Sequence, residues 1–177
     1  MKPENQRYKL RKSNIHIGKF IKKIMKIGGH SKVWLSDKLG CDEDTITAIY
    51  KNEDSDTERL TLISLYTGEN LFEPYKNDVS QEVARYNRDL SFEEITNIDM
   101  SVLEEGTPIK KLIRQQMKKH GYIFKTLGEK FGITESDASK SCQKDDFDTF
   151  RLFNLSILLG LNLFLYYYWR TEIMLNN

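Results

Sequence analysis

The sequence predicts an all-α protein made of two copies of one helical unit. Three observations predict it: apolar residues recur at helical spacing near the N-terminus, the chain matches itself at a fixed offset, and no segment carries a strand signal. With Ile17 set against Ile109, an offset of 92 positions, the segment Ile17 to Tyr75 aligns with Ile109 to Tyr167 without a gap.

The paired identities run along the whole segment. Ile21, Met25, Gly29, Leu35 and Gly40 meet Ile113, Met117, Gly121, Leu127 and Gly132. Asp56, Thr57, Arg59 and Leu60 meet Asp148, Thr149, Arg151 and Leu152, and Gly68, Asn70, Leu71, Phe72 and Tyr75 meet Gly160, Asn162, Leu163, Phe164 and Tyr167. This divides the chain into a basic N-terminal arm (1–14), a first domain (15–75), a partly helical linker (76–107) and a diverged second domain (108–177).

The elements of the first domain follow in order. Ile17, Phe20, Ile21, Ile24 and Ile27, with Lys19, Lys22, Lys23 and Lys26 between them, make an amphipathic first helix. A second helix covers Val33 to Leu39 and stops at Gly40. A third begins after Asp42, whose carboxylate can take up free N–H groups of its first turn, and a fourth runs from about Thr57, capped by Ser55 or Asp56, toward Gly68. The segment between the domains reads as a linker or a strut, with a helix from Val79 to Asp89 and a turn near Glu105, Gly106 and Pro108.

The segment KVWLSDKLGCDEDTITAI, Lys32 to Ile49, carries the most specific pattern. Two helices that cross closely need a small residue at the crossing and a glycine in the turn, and Ser36 and Gly40 meet those needs. Leu35, Leu39, Cys41, Ile46 and Ile49 stand where apolar residues would lock the helices together. In the second copy Gly128, Gly132, Leu127, Phe131 and Ile133 repeat the rule.

On these residues, together with WLSDKLGC and SDTERL, the segment Ile17 to Tyr75 resembles the XRE family of lambda-repressor-like helix-turn-helix proteins. The resemblance implies two lambda-repressor-like helix-turn-helix bundles in one chain, the second diverged. It also implies a transcriptional regulator that binds double-stranded DNA sequence-specifically, its third helix in the major groove. The residues it would turn toward DNA are Lys32, Asp42, Glu43, Asp44, Thr47, Ala48, Lys51 and Asn52, and in the second copy Thr134, Glu135, Ser136, Ser139, Lys140 and Gln143. Two such units could address two half-sites if their third helices stand about 34 Å apart.

The sequence departs from that family's habit of Ser, Thr, Asn, Gln, Arg or Lys at these positions. Asp42, Glu43 and Asp44 put three acids in a row, and from Lys32 to Asn52 three positive charges meet four negative. The acids either accept from cytosine amino groups or simply cap the helix and complement its dipole. In the second copy Ala138, Ser141 and Cys142 replace Ile46, Ile49 and Tyr50, which loosens the anchoring of its third helix, while Thr134 and Asp137 still provide a capping start. Other basic residues cluster as Arg7, Lys9, Arg11 and Lys12 in the arm and as Lys110, Lys111, Arg114, Lys118 and Lys119 in the second copy. These either reach phosphates or are solvated charges. The rival to DNA binding is a protein-interaction module that keeps the fold.

Composition narrows the classes. In 177 residues, 27 Lys plus Arg balance 26 Asp plus Glu to a net +1, so a nucleic-acid site must be a local patch. Cys41 and Cys142 have no disulfide or zinc spacing and read as buried, which with the absence of an apolar leader points to the cytoplasm. The apolar run Leu155 to Trp169, broken by Gly160 and Asn162, reads as packed core and not as a membrane span. His16, His30 and His120 share no metal spacing, and with no phosphate loop or catalytic constellation the expectation is a non-enzyme without cofactor or metal. The cluster Phe164, Tyr166, Tyr167, Tyr168 and Trp169 either packs the two units together or forms a homodimer surface.

Overall fold

A computed structural model describes residues 8–99, 103 and 106–177, and among these the chain is all-helical, with eleven helices. They are α1 (Ile17–Ile27), α2 (Lys32–Leu39), α3 (Glu43–Lys51), α4 (Thr57–Thr67), α5 (Glu73–Tyr86), α6 (Phe92–Thr96), α7 (Ile109–Lys119), α8 (Phe124–Phe131), α9 (Glu135–Cys142), α10 (Thr149–Leu159) and α11 (Phe164–Leu175). The first five correspond to the last five at the repeat offset. The Arg7 of the arm and the Glu105 of the expected turn lie outside the described residues, whereas Gly106 has the positive φ of a turn.

Local chemistry sets the helix limits. Ser31, Asp42 and Asp56 accept from the N–H groups of Trp34, Thr45 and Arg59 at 3.1, 2.6 and 2.7 Å, so α2, α3 and α4 each start on a side-chain cap. Of the two caps open for α4, Asp56 serves. Gly40 and Gly132 end α2 and α8 with φ of 65° and 68°, a conformation costly for any residue with a Cβ. The helix expected from Val79 starts earlier, at Glu73, because Pro74 fits the first turn, and it ends at Tyr86.

The two halves share a core instead of standing apart on a linker. Helix α5 packs against α10 and α11, and α11 also packs on α4. Val79 and Val83 of α5, Ile95 of α6 and Ile98 are buried, so residues 76–98 are a packed part of the fold. Where Asp56 meets Asp148 the chain forms a short antiparallel bridge: Thr57 N–H donates to the Phe147 carbonyl at 2.9 Å and Thr149 N–H to the Ser55 carbonyl at 2.8 Å.

The same exchange recurs in the side chains, where three bonds or stacks each have a mate between the repeat-related residues. The Thr57 hydroxyl donates to Asp146 at 2.9 Å and the Thr149 hydroxyl to Asp54 at 3.1 Å. Asn70 donates to the Tyr168 carbonyl at 2.9 Å and Asn162 to the Lys76 carbonyl at 3.0 Å. Phe72 stacks on Tyr167 with ring centres 5.4 Å apart, and Tyr75 stacks on Phe164 at 4.2 Å. In each pair residue i of one half meets residue j of the other, and j meets i, which is the signature of a two-fold relationship. The halves are joined as a dimer would be, within one chain.

This accounts for the C-terminal aromatic cluster. Phe164, Tyr167 and Tyr168 are buried between the halves, Tyr166 is buried with its hydroxyl donating to the Thr107 carbonyl, and Trp169 is left partly exposed. Residues Leu155 to Tyr168 are buried throughout, and among the described residues no single helix is long and apolar enough to cross a membrane. The N-terminal arm contributes a strap. Tyr8 O–H and Arg11 backbone N–H both donate to the Asn154 side-chain oxygen Oδ1 at 2.9 Å, and the Asn154 side-chain amide donates back to the Arg11 carbonyl, tying the start of the first half to α10 of the second.

Candidate nucleic-acid interface

Helix α3 is held from beneath. Ile46 and Ile49 are buried, and α3 packs on both α1 and α2. The approach of α1 to the end of α3 depends on Gly18: a Cβ there would stand 2.3 Å from the Ile49 carbonyl oxygen, and the Gly18 N–H donates to the Asn52 carbonyl at 3.1 Å. No side chain fits between the two backbones. This contact fixes how the outer face of α3 sits beside the lysines of α1.

That outer face opens on a surface groove lined by His16, Lys19 and Lys22, by Lys32 from α2, and by Thr47, Tyr50 and Lys51 from α3. Lys32 Nζ donates to Thr47 Oγ1 at 3.3 Å, and the Thr47 hydroxyl donates to the Glu43 carbonyl at 3.0 Å, so the hydroxyl is oriented between helix and lysine. Of the residues expected to face DNA, Lys32, Thr47 and Lys51 come together here. Ala48 is exposed nearby in sequence, and Asn52 caps the end of α3 with its side chain exposed.

The three acids occupy the other end of the helix. Asp42, Glu43 and Asp44 are exposed and do not line the groove. Asp42 accepts from Thr45 N–H at 2.6 Å, and the bond from Thr45 holds its carboxyl below the usual range, as a helix cap should. Of the two roles open to this residue, capping is the one its geometry displays.

The second half keeps part of this arrangement. Thr134 accepts from Asp137 N–H at 3.1 Å and donates to its carboxylate at 2.7 Å, giving α9 a defined start. Glu135, Ser136, Lys140 and Gln143 are exposed, and the Gln143 amide donates to Ser139 Oγ at 2.9 Å. On α7, Lys111 and Arg114 hold the repeat positions of Lys19 and Lys22 and are likewise exposed. Beneath α9 the core is thinner. Leu127, Phe131, Ile133, Ala138, Ser141, Cys142, Arg151 and Leu155 surround a void of about 20 Å³, where Ala138 stands in place of Ile46. Ile133, expected as a core residue, is 38% exposed, and Cys41, which holds the same repeat position and was expected to be buried, is only half-buried, since this position follows the turn glycine at the edge of the crossing in both halves. Burial pushes the Cys142 thiol up to about 11, which keeps it protonated at neutral pH.

Acidic residues gather around the bridge between the halves, but most are matched locally. Glu53 pairs with Lys12 at 2.8 Å, Asp56 with Arg59 at 3.3 Å, Asp145 with Lys110 at 3.1 Å and Asp148 with Arg151 at 3.7 Å. Arg11 pairs with Glu82 and lies over the Tyr86 ring, so Arg11 and Lys12 serve the strap. The groove lysines Lys19, Lys22 and Lys51 enter no ion pair among the described residues.

The residues that sequence reading missed as site residues are His16, Lys19, Lys22 and Tyr50. A charge count over Lys32 to Asn52 omits α1, although the i, i+3 spacing of Lys19 and Lys22 on the face next to Gly18 was a usable signal. Among the described residues no group of three or more His, Cys, Asp or Glu is arranged to hold a metal ion. The chain matches no family model, no curated protein and no solved structure.

Proposed function

We propose that the chain is a sequence-specific DNA-binding transcriptional regulator, built of two lambda-repressor-like helix-turn-helix units, with α3 as its principal reading helix. The observation that carries this reading is the groove in which Thr47 and Lys51 of α3 lie beside Lys19, Lys22 and Lys32 from two other helices. Phosphate contacts supply much of the affinity of such proteins, and lysines flanking a reading helix are where those contacts are made. The α2–Gly40–α3 geometry, with its close crossing and left-handed turn, is what the XRE resemblance requires of a helix-turn-helix.

Selection of bound duplexes from a random-sequence pool tests the proposal. An enriched motif, lost from the Thr47→Ala, Lys51→Ala double variant, supports it; recovery of unenriched sequence, or no recovery, contradicts it.

A second reading, a protein-interaction module, is favoured by the exposed Asp42, Glu43 and Asp44, which offer a basic partner three carboxylates at one helix start. Its test is the same pool: a chain of this kind retains no duplex.

A further inference from the structure

We infer that one chain occupies two unequal half-sites on a single duplex, α3 on one and α9 on the other, and so binds DNA in a defined direction as a monomer. The inference rests on the DNA-binding reading above and extends it to stoichiometry, spacing and polarity.

The first ground is the intramolecular two-fold. The bridge at Asp56 and Asp148, the reciprocal Thr57–Asp146 and Thr149–Asp54 bonds, the reciprocal Asn70 and Asn162 bonds and the two aromatic stacks hold the halves as a symmetric dimer is held. Homodimeric readers obtain two helices by pairing two chains; here one chain already carries both.

The second ground is placement. Lys51, which ends α3, lies five residues before Asp56, and Cys142, which ends α9, lies six residues before Asp148, so both helices are tethered at the axis. An extended chain reaches at most about 3.6 Å per residue and the bridge itself spans about 5 Å, so these helix ends stand within about 45 Å of each other. That range contains the separation of about 34 Å at which two helices enter successive major grooves.

The third ground is inequality. At repeat-related positions α3 presents Thr47, Ala48 and Lys51, and α9 presents Ser139 and Lys140, with Gln143 at its C-terminal cap. The exposed Lys140 is a donor toward guanine, whereas its counterpart Ala48 offers only a methyl contact. Lys111 and Arg114 repeat the basic flank of Lys19 and Lys22, so each half has its own means of holding phosphates. A site read by these two helices is therefore not a palindrome.

Native mass spectrometry of the full chain with its selected duplex, together with hydroxyl-radical footprinting, tests the inference. The expected result is one chain per duplex and two protected patches one helical turn apart. Inserting five base pairs between the patches should weaken binding about tenfold or more, because half a turn puts one helix on the wrong side of the DNA. Lys140→Ala should relax base preference in one patch by about fivefold or more and leave the other unchanged. Two chains on a palindromic duplex, or a single protected patch, overturns the inference while leaving DNA binding intact. Failure to bind any duplex overturns both.

Discussion

Thr57 and Thr149 each serve the other half of the molecule: each hydroxyl donates to an aspartate across the two-fold, at 2.9 and 3.1 Å, and accepts from a backbone N–H beside that aspartate, at 3.0 and 3.1 Å. Both side chains are essentially inaccessible, at 0% and 1%. Replacing either with valine keeps the shape and strands a buried N–H. Thr57→Val and Thr149→Val should each cost about 1–3 kcal/mol in urea unfolding. A cost near zero for both would mean that the bridge contributes nothing to holding the halves together.

Asp54 gives the same interface a pH dependence. Burial raises its carboxyl above the usual value, with the Thr149 hydroxyl acting in the opposite direction. A carboxyl raised on folding binds more protons in the folded chain. Its contribution is therefore fully present below the unfolded value and is lost as pH rises through the folded one. Asp54→Asn keeps an acceptor for Thr149 without the buried charge, so near pH 7 the variant should be at least as stable as the parent. Its advantage should vanish below about pH 4, where Asp54 is itself protonated. Thermal unfolding at both pH values measures the difference, and a variant less stable at pH 7 contradicts the account.

The void under α9 predicts a stabilising change. Ala138→Val adds two methyl groups next to Leu127, Phe131 and Leu155, and should gain about 0.5–1.5 kcal/mol. In the first half the counterpart Ile46 is fully buried, and Ile46→Ala should cost about 2–5 kcal/mol. Opposite signs at two repeat positions would be visible in one pair of denaturation curves. Loss of stability in Ala138→Val would show that the neighbours have already closed the space.

Gly18→Ala tests the seat of α3. The added methyl meets the carbonyl oxygens of Ile49, Tyr50 and Asn52 at 2.3, 2.6 and 2.7 Å, all of them backbone, so α1 and α3 must separate. A loss of about 3 kcal/mol is expected, at the upper end of overpacking costs. Full stability in this variant would show that α1 does not fix α3.

Much of the fold could be read from the residues alone, and the reasons are local. Gly40 after Leu39, Asp42 before Glu43 and the four-residue recurrence of Ile17, Ile21 and Met25 act within a turn or two of the chain, so the helices they delimit are where the pattern puts them. The repeat offset was equally plain. It leaves open whether the repeats stand in tandem or face one another, because the bonds from Asn70 to Tyr168 and from Tyr8 to Asn154 join residues far apart in sequence. The choice between linker and strut stays open in the sequence for the same reason: Val79, Val83 and Ile95 are too few to look like a core until α10 is laid against α5. The candidate groove draws on three helices, and a window over the α2–α3 segment takes in the three acids, which do not line it, and omits His16, Lys19 and Lys22, which do.

The central claim is that the α1–α2–α3 groove holds DNA phosphates, and the salt dependence of duplex binding tests it most directly. Affinity measured from about 50 to 200 mM salt should fall steeply, and the Lys22→Ala, Lys51→Ala double variant should flatten the log–log slope by about two, close to one for each contact removed. Both side chains are exposed, so the fold should not change. An unchanged slope in the double variant, or no binding by the parent at the lowest salt, would contradict the claim.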